Sequence, residues 1–303
     1  MDVTLHLGAH KTASTYLQRR LEGSANALRH HGVVAYGPRL LREMVQHRIG
    51  NSLPRHRSAF RQGQAQVVHE LICKEERAGV QRLVLSEEQL LGSVRELVLG
   101  EEFYENALTN LRAVSVALNG RPVTAVMAVR SYDRFLVSAY GQTLRGGHYL
   151  RFDSALRERM LNLRRGWPDL VGDIASALPR GSEILLWRYE TFGQSEADVM
   201  RLLVGNVASR ALVKVRGQLL PGPSAAAIRM LDHKAAHGWQ RLTIERIRAI
   251  LRDHAKADGH AAFDPWTPQE RHHLEQRYLE HLAEIRDMLP GCFIDESLRH
   301  AAA

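Results

Sequence analysis

The chain has 303 residues, 45% apolar and 24% charged, with a formal net charge of +8. This is a globular balance with ample material for a core, which excludes a disordered or collagen-like class, and the excess of Lys and Arg favours an anionic partner. The Arg residues are scattered rather than gathered into one tract, so a charged nucleotide or an acidic glycan accounts for the balance without any nucleic-acid partner.

Cys73 and Cys292 form neither a disulfide framework nor a zinc site, and both read as buried small hydrophobes. No secretory segment precedes the first apolar run, and no stretch of about twenty apolar residues occurs. A cytoplasmic protein without membrane insertion is therefore expected.

Val3, Leu5 and Leu7 read as a short buried strand. Gly8 and Ala9 let the backbone turn, and Leu17, Leu21 and Leu28 carry a helical period beyond Ser14 and Thr15. Strand, small-residue loop and helix start together aim free N–H groups and a positive dipole end at one spot, suited to phosphate or sulfate. Lys11 adds a charge there, and Thr12, Ser14 and Thr15 add hydroxyl donors, although hydroxyls at such a place also serve as helix caps. The loop is not a Walker A sequence, because Gly-x-x-x-x-Gly-Lys-Ser/Thr is absent and Lys11 falls three residues after Gly8.

Val33–Tyr36 is the next strand candidate, closed by Gly37-Pro38. Residues 39–57 read as helix and loop; His47 among them is either a solvated surface group or an acceptor-side group. A helical period over 58–78 precedes the strand run Leu83–Leu85, with Ser86, Glu87 and Glu88 just beyond it. That edge of a parallel sheet is where ligands bind, yet the same residues also suit a helix N-terminus.

An amphipathic helix is expected over 101–118, then the clearest strand, Val123–Val129, with Arg130 at its end. Arg130 can contact a phosphate through two N–H groups, and Ser138, eight residues on, can fold back to the same place. Arg145, Gly146 and Gly147 read as a segment over the site or as a plain helix end. Helices after Trp167 and after Thr267, the latter with a capping box, bracket a fifth strand, Ile184–Trp187. About five strands alternating with helices predict an α/β fold with a parallel sheet, read as one domain over 1–303 and helical from about residue 224. His233-Lys234-Ala235-Ala236-His237 is no zinc helix, since Lys234 replaces the Glu. The pairs His30-His31 and His272-His273 read as solvated.

Gly8-Ala9-His10-Lys11-Thr12-Ala13-Ser14-Thr15 resembles the 5′-phosphosulfate loop of sulfotransferases that use 3′-phosphoadenosine 5′-phosphosulfate (PAPS), with Ala13 replacing the usual Gly. Arg130 with Ser138 and the following Tyr140 resembles the 3′-phosphate motif of that family, except that Ser131-Tyr132 stands where many members have Asn-Pro. Ser86-Glu87-Glu88 resembles the Ser-Ser-Glu that follows a strand in bacterial members, which places Glu88 on the family's Glu.

The resemblance implies a P-loop-like nucleotide fold and sulfuryl transfer from PAPS to an acceptor hydroxyl, or an amine, leaving adenosine 3′,5′-bisphosphate and needing no metal. It implies that Lys11 offsets leaving-group charge, that Gly8 to Thr15 hold the 5′ end, and that Arg130, Ser138 and Arg216, the last in a late basic loop, hold the 3′-phosphate. The acceptor's proton goes to Glu88, His10 or His47, with Glu87, His47 and Tyr140 on the acceptor side. The acceptor is a small molecule, a glycan or a lipid; the oligomeric state stays open. The rival readings are a P-loop-like nucleotide kinase or hydrolase and a non-catalytic nucleotide-binding module.

Overall fold

The computed structural model describes residues 1–49, 57–215, 222–237 and 242–294. The five apolar runs form one all-parallel sheet of strands β1 (Asp2–Gly8), β2 (Val33–Tyr36), β3 (Arg82–Ser86), β4 (Thr124–Val129) and β5 (Glu183–Arg188), in the order β2-β3-β1-β4-β5. The expected α/β class is thus the observed one. Leu5 pairs with Leu85 on one side and Ala125 on the other, so the ends of β3, β1 and β4 lie side by side.

Helices α1 (Ser14–Gly23) and α2 (Ala25–His30) lie between β1 and β2, and α3 (Pro38–Ile49) and α4 (Arg57–Arg77) between β2 and β3. Next come α5 (Val94–Leu99) and α6 (Ala107–Leu118) before β4, then α7 (Tyr132–Arg145), α8 (Ser154–Leu161) and α9 (Trp167–Ala177) before β5. The C-terminal part is helical, with α10 (Phe192–Val204), α11 (Asn206–Ser209), α12 (Ala225–Ala236), α13 (Ile244–Asp253) and α14 (Pro268–Met288).

Strand alternation sorts these helices onto two faces. Leu5, Leu7, Leu83, Leu85 and Met127 face the larger core, with α4, α6, α7 and α9 packed on it. Val84, Val126, Ala128 and Trp187 face a smaller one made by α1, α2 and α10. The connection leaving β1 therefore runs to one face while those leaving β3 and β4 run to the other. That opens a crevice at the carboxyl end of β1, the ordinary ligand position in an open parallel sheet.

Two local readings change. The helix expected from residue 101 starts at Ala107, because Phe103 and Tyr104 are buried in a turn, with Tyr104 at φ 50°. Cys73 is half-buried beside His69 rather than in the core, whereas Cys292 is buried as expected. Among the described residues no helix is long and apolar enough to cross a membrane. Nor does any group of three or more His, Cys, Asp and Glu among them stand ready to hold a metal ion.

Candidate functional site

The loop after β1 folds around a single carbonyl. Thr12 Oγ1 and Ser14 Oγ both donate to Ala9 O, at 2.7 and 3.0 Å. Gly8 has φ 97°, and a Cβ there would stand 2.9 Å from that of Glu88; glycine is what lets the carboxylate segment approach the loop. Ala13, at φ 67°, occupies the N-cap of α1 without a side-chain cap. No hydrogen bond among the described residues takes the backbone N–H groups of Lys11 to Thr15. They are open donors at a helix N-terminus.

Arg130 reaches this loop from the neighbouring strand. Its Nη1 donates to Lys11 O at 2.6 Å, and its guanidinium lies 4.3 Å from the Tyr189 ring centroid. Its Nε is buried with no hydrogen-bond partner. Burial, then Arg145 and Arg130, lower the Lys11 ammonium from its ordinary value to about 8. Lys11, Arg130 and Arg145 thus gather positive charge in one place, and burial makes it costly to leave that charge uncompensated.

The turn that carries Arg130 is braced from far along the chain. Glu190 accepts from Ser131 N and from the Tyr278 hydroxyl of α14, each at 2.9 Å. Asp133 accepts from the Ser131 hydroxyl and, at 2.8 Å, from Arg271 Nη1, while Trp266 Nε1 donates to Asp133 O at 2.8 Å. Tyr132, where a proline is common in the resembled motif, accepts at 2.7 Å from Trp167 N and stands 2.8 Å from His281 Nδ1. Side-chain hydrogen bonds hold the turn that a proline would otherwise stiffen.

On the other side of β1, the two carboxylates part company. Glu87 is buried and gripped at both oxygens by Arg42, at 2.8 and 2.6 Å, while also capping the short turn Glu88–Leu91 through Gln89 N at 2.9 Å. Burial pushes its carboxyl above the ordinary range. Glu88 accepts from Gln18 Nε2 at 2.9 Å, with Arg42 3.5 Å away. Burial opposes its ionisation, but the His10 ring when it is charged, the Gln18 amide and Arg42 pull its carboxyl below the ordinary range. His10 rests on Tyr104, whose hydroxyl is 3.2 Å from His10 N and 3.1 Å from His10 Nδ1.

No family model matches this sequence, and neither does any curated protein.

The remaining sequence candidates scatter. Ser138 stands half-buried on α7, about two turns from Arg130. Tyr140, expected on the acceptor side, is buried among Phe152 and Phe263 with its hydroxyl on Leu150 O at 2.8 Å, a core role. His47 is exposed on α3, five residues on from Arg42 and so about 140° round the helix from it. It lines a cavity with Glu43 and Glu70, not the loop. Thr15 is exposed, and Arg216 lies outside the described residues. Sequence reasoning missed Arg42, Tyr104, Gln18 and Tyr189, each brought in by tertiary packing; Gln18, one turn beyond Ser14 on the Leu17–Leu21 side of α1, carried the only local signal.

Beneath the loop, His6 is wholly buried, its Nδ1 2.7 Å from Ser86 Oγ and its Nε2 without a hydrogen-bond partner. Burial lowers it from 6.5 to about 4 despite the pull of Glu88. Between those values the unfolded chain binds a proton that folded His6 refuses, so its contribution makes stability fall as pH drops from 6.5 to about 4 and level off below. The loss is ~3 kcal/mol at most. Urea midpoints measured across this window will fall less steeply in His6→Gln than in the parent chain; equal slopes would clear His6 of the effect.

Proposed function

We propose that the chain moves a sulfuryl group from PAPS to an acceptor hydroxyl or amine, on a P-loop-like nucleotide fold. One observation carries the reading: the strand-end Arg130 meets the carbonyl of Lys11 at 2.6 Å, so two cationic groups from adjacent strands converge on a loop of open amides. A nucleotide phosphorylated at both 5′ and 3′ ends needs two such grips close together. The strand order β2-β3-β1-β4-β5, with the loop following the central strand, supports the P-loop-like assignment.

The roles follow from charge and reach. The amides of Lys11 to Thr15 would hold the 5′-phosphate and sulfuryl oxygens, and Lys11 would offset charge growing on the leaving phosphate. Arg130 would hold the 3′-phosphate, with Ser138 on the helix that follows it. Thr12 and Ser14 shape the loop by their bonds to Ala9 O, and turn outward only if those bonds are exchanged for oxygens of the donor. Glu88 is the first choice to take the acceptor's proton, and His10 the alternative. Glu87 weighs against the kinase reading: Arg42 and Gln89 already occupy the carboxylate that would have to hold Mg²⁺.

A nucleotide panel tests the proposal. Saturating adenosine 3′,5′-bisphosphate is expected to raise the melting temperature by several degrees and adenosine 5′-diphosphate by much less. Greater stabilisation by the diphosphate with Mg²⁺ would replace this reading with the kinase one. Binding of the bisphosphate without consumption of labelled PAPS by any acceptor would leave a non-catalytic module.

A further inference from the structure

The Tyr104 hydroxyl has one proton to give, and its surroundings dictate where that proton goes. The phenol is 3% exposed, and its oxygen is met by His10 N, a main-chain donor with no choice of role, at 3.2 Å. The one acceptor the described hydrogen bonds place within reach of the phenol proton is His10 Nδ1, at 3.1 Å. Were Nδ1 to carry a proton instead, the oxygen would face two donors and its own proton would be stranded in the interior. We infer that Tyr104 is a positioning residue that fixes His10 as a neutral Nε2–H donor, and so leaves Glu88 as the group that takes the acceptor's proton.

This inference rests on the sulfuryl-transfer reading of the same loop. The acceptor oxygen forms its bond to sulfur as the bond from sulfur to the bridging oxygen of PAPS breaks, the electron pair leaving with the 5′-phosphate. The acceptor's proton passes to the Glu88 carboxylate, which Gln18 and Arg42 hold in its ionised form. His10 Nε2–H, on the loop that grips the sulfuryl group, donates and does not accept. The charged groups that face His10 are Glu88 on the turn after β3, Arg42 on α3, Glu96 on α5 and Lys11 beside it in the loop. Burial outweighs both carboxylates and keeps the ring neutral, lowering it to about 4.

Nitrogen NMR on the full chain with ¹⁵N-labelled histidine reads the tautomer without any substrate, His10 being assigned by the loss of its signals in His10→Gln. A bare Nδ1 and a protonated Nε2 are expected from neutral pH down to about pH 5, the ring titrating only near its lowered value. In Tyr104→Phe, which keeps the aromatic ring, the two tautomers are expected to mix and the titration midpoint to rise by about one unit. A protonated Nδ1 in the parent chain at pH 7 overturns the assignment, whether or not the variant folds; so does an unchanged pattern in Tyr104→Phe.

Kinetics supply the second arm, with PAPS turnover against water as acceptor. His10→Gln, which keeps a donor, is expected within about tenfold of the parent, and His10→Ala about 10²-fold below it. A loss in His10→Gln equal to that in Glu88→Gln would make His10 the proton acceptor and sink the inference. If adenosine 3′,5′-bisphosphate fails to bind at all, it is the sulfuryl-transfer reading that falls, and the tautomer result stands apart from it.

Discussion

Under the proposed sulfuryl transfer, replacing Lys11 by alanine will slow PAPS turnover about 10³-fold, the scale on which a buried donor aimed at developing charge acts. Affinity for adenosine 3′,5′-bisphosphate will fall less, by about tenfold, because on the same reading the open loop amides would still hold the 5′-phosphate. The effect has a pH signature. In the free protein burial and the neighbouring guanidinium groups lower the ammonium to about 8, while a bound anion favours its charged form and raises it again. Binding therefore takes up a proton above pH 8, and affinity declines as pH rises from 8 towards 9 and beyond. Titration calorimetry at pH 7 and 9 will show the decline in the parent chain and not in Lys11→Met; a decline of the same size in the variant would assign the proton elsewhere.

Arg130→Ala will raise the dissociation constant of adenosine 3′,5′-bisphosphate by about 30- to 100-fold, the cost of losing a forked, charge-assisted phosphate contact. Affinity for adenosine 5′-monophosphate, which lacks the 3′-phosphate, will fall far less. Arg130→Lys will not rescue binding, because an ammonium neither forks nor presents a planar group to the Tyr189 ring. Equal losses for the two nucleotides in Arg130→Ala would mean that Arg130 serves the loop, through its bond to Lys11 O, and not the ligand.

The strands were legible because each is an apolar run bounded by turn residues, and a fully buried parallel strand leaves that signature in sequence. The loop and Arg130 were legible for a related reason, since each directly follows its strand. What escaped is what packing alone brings together. Nothing near Arg42 in the chain announces that it will lock Glu87, which stands just after the strand that pairs with β2. Tyr104 read as part of a helix, and only the turn at 101–106 swings its phenol onto His10. The hydroxyls of Thr12 and Ser14 read as ligand donors or helix caps, whereas here both donate to Ala9 O and shape the loop. Tyr140 shows the converse: a residue that the resemblance placed on the acceptor side is packed among Phe152 and Phe263 in the core.

Glu190 and Asp133, tied to Tyr278 and Arg271, have a consequence for synthesis on the ribosome. All five strands and the anion loop have been made by residue 188, yet the strand-end guanidinium rests on a scaffold that is complete only when α14 has emerged. On the sulfuryl-transfer reading, a nascent chain stalled before that helix would display the sheet but grip a doubly phosphorylated nucleotide poorly, and would gain its hold only as Arg271 and Tyr278 dock.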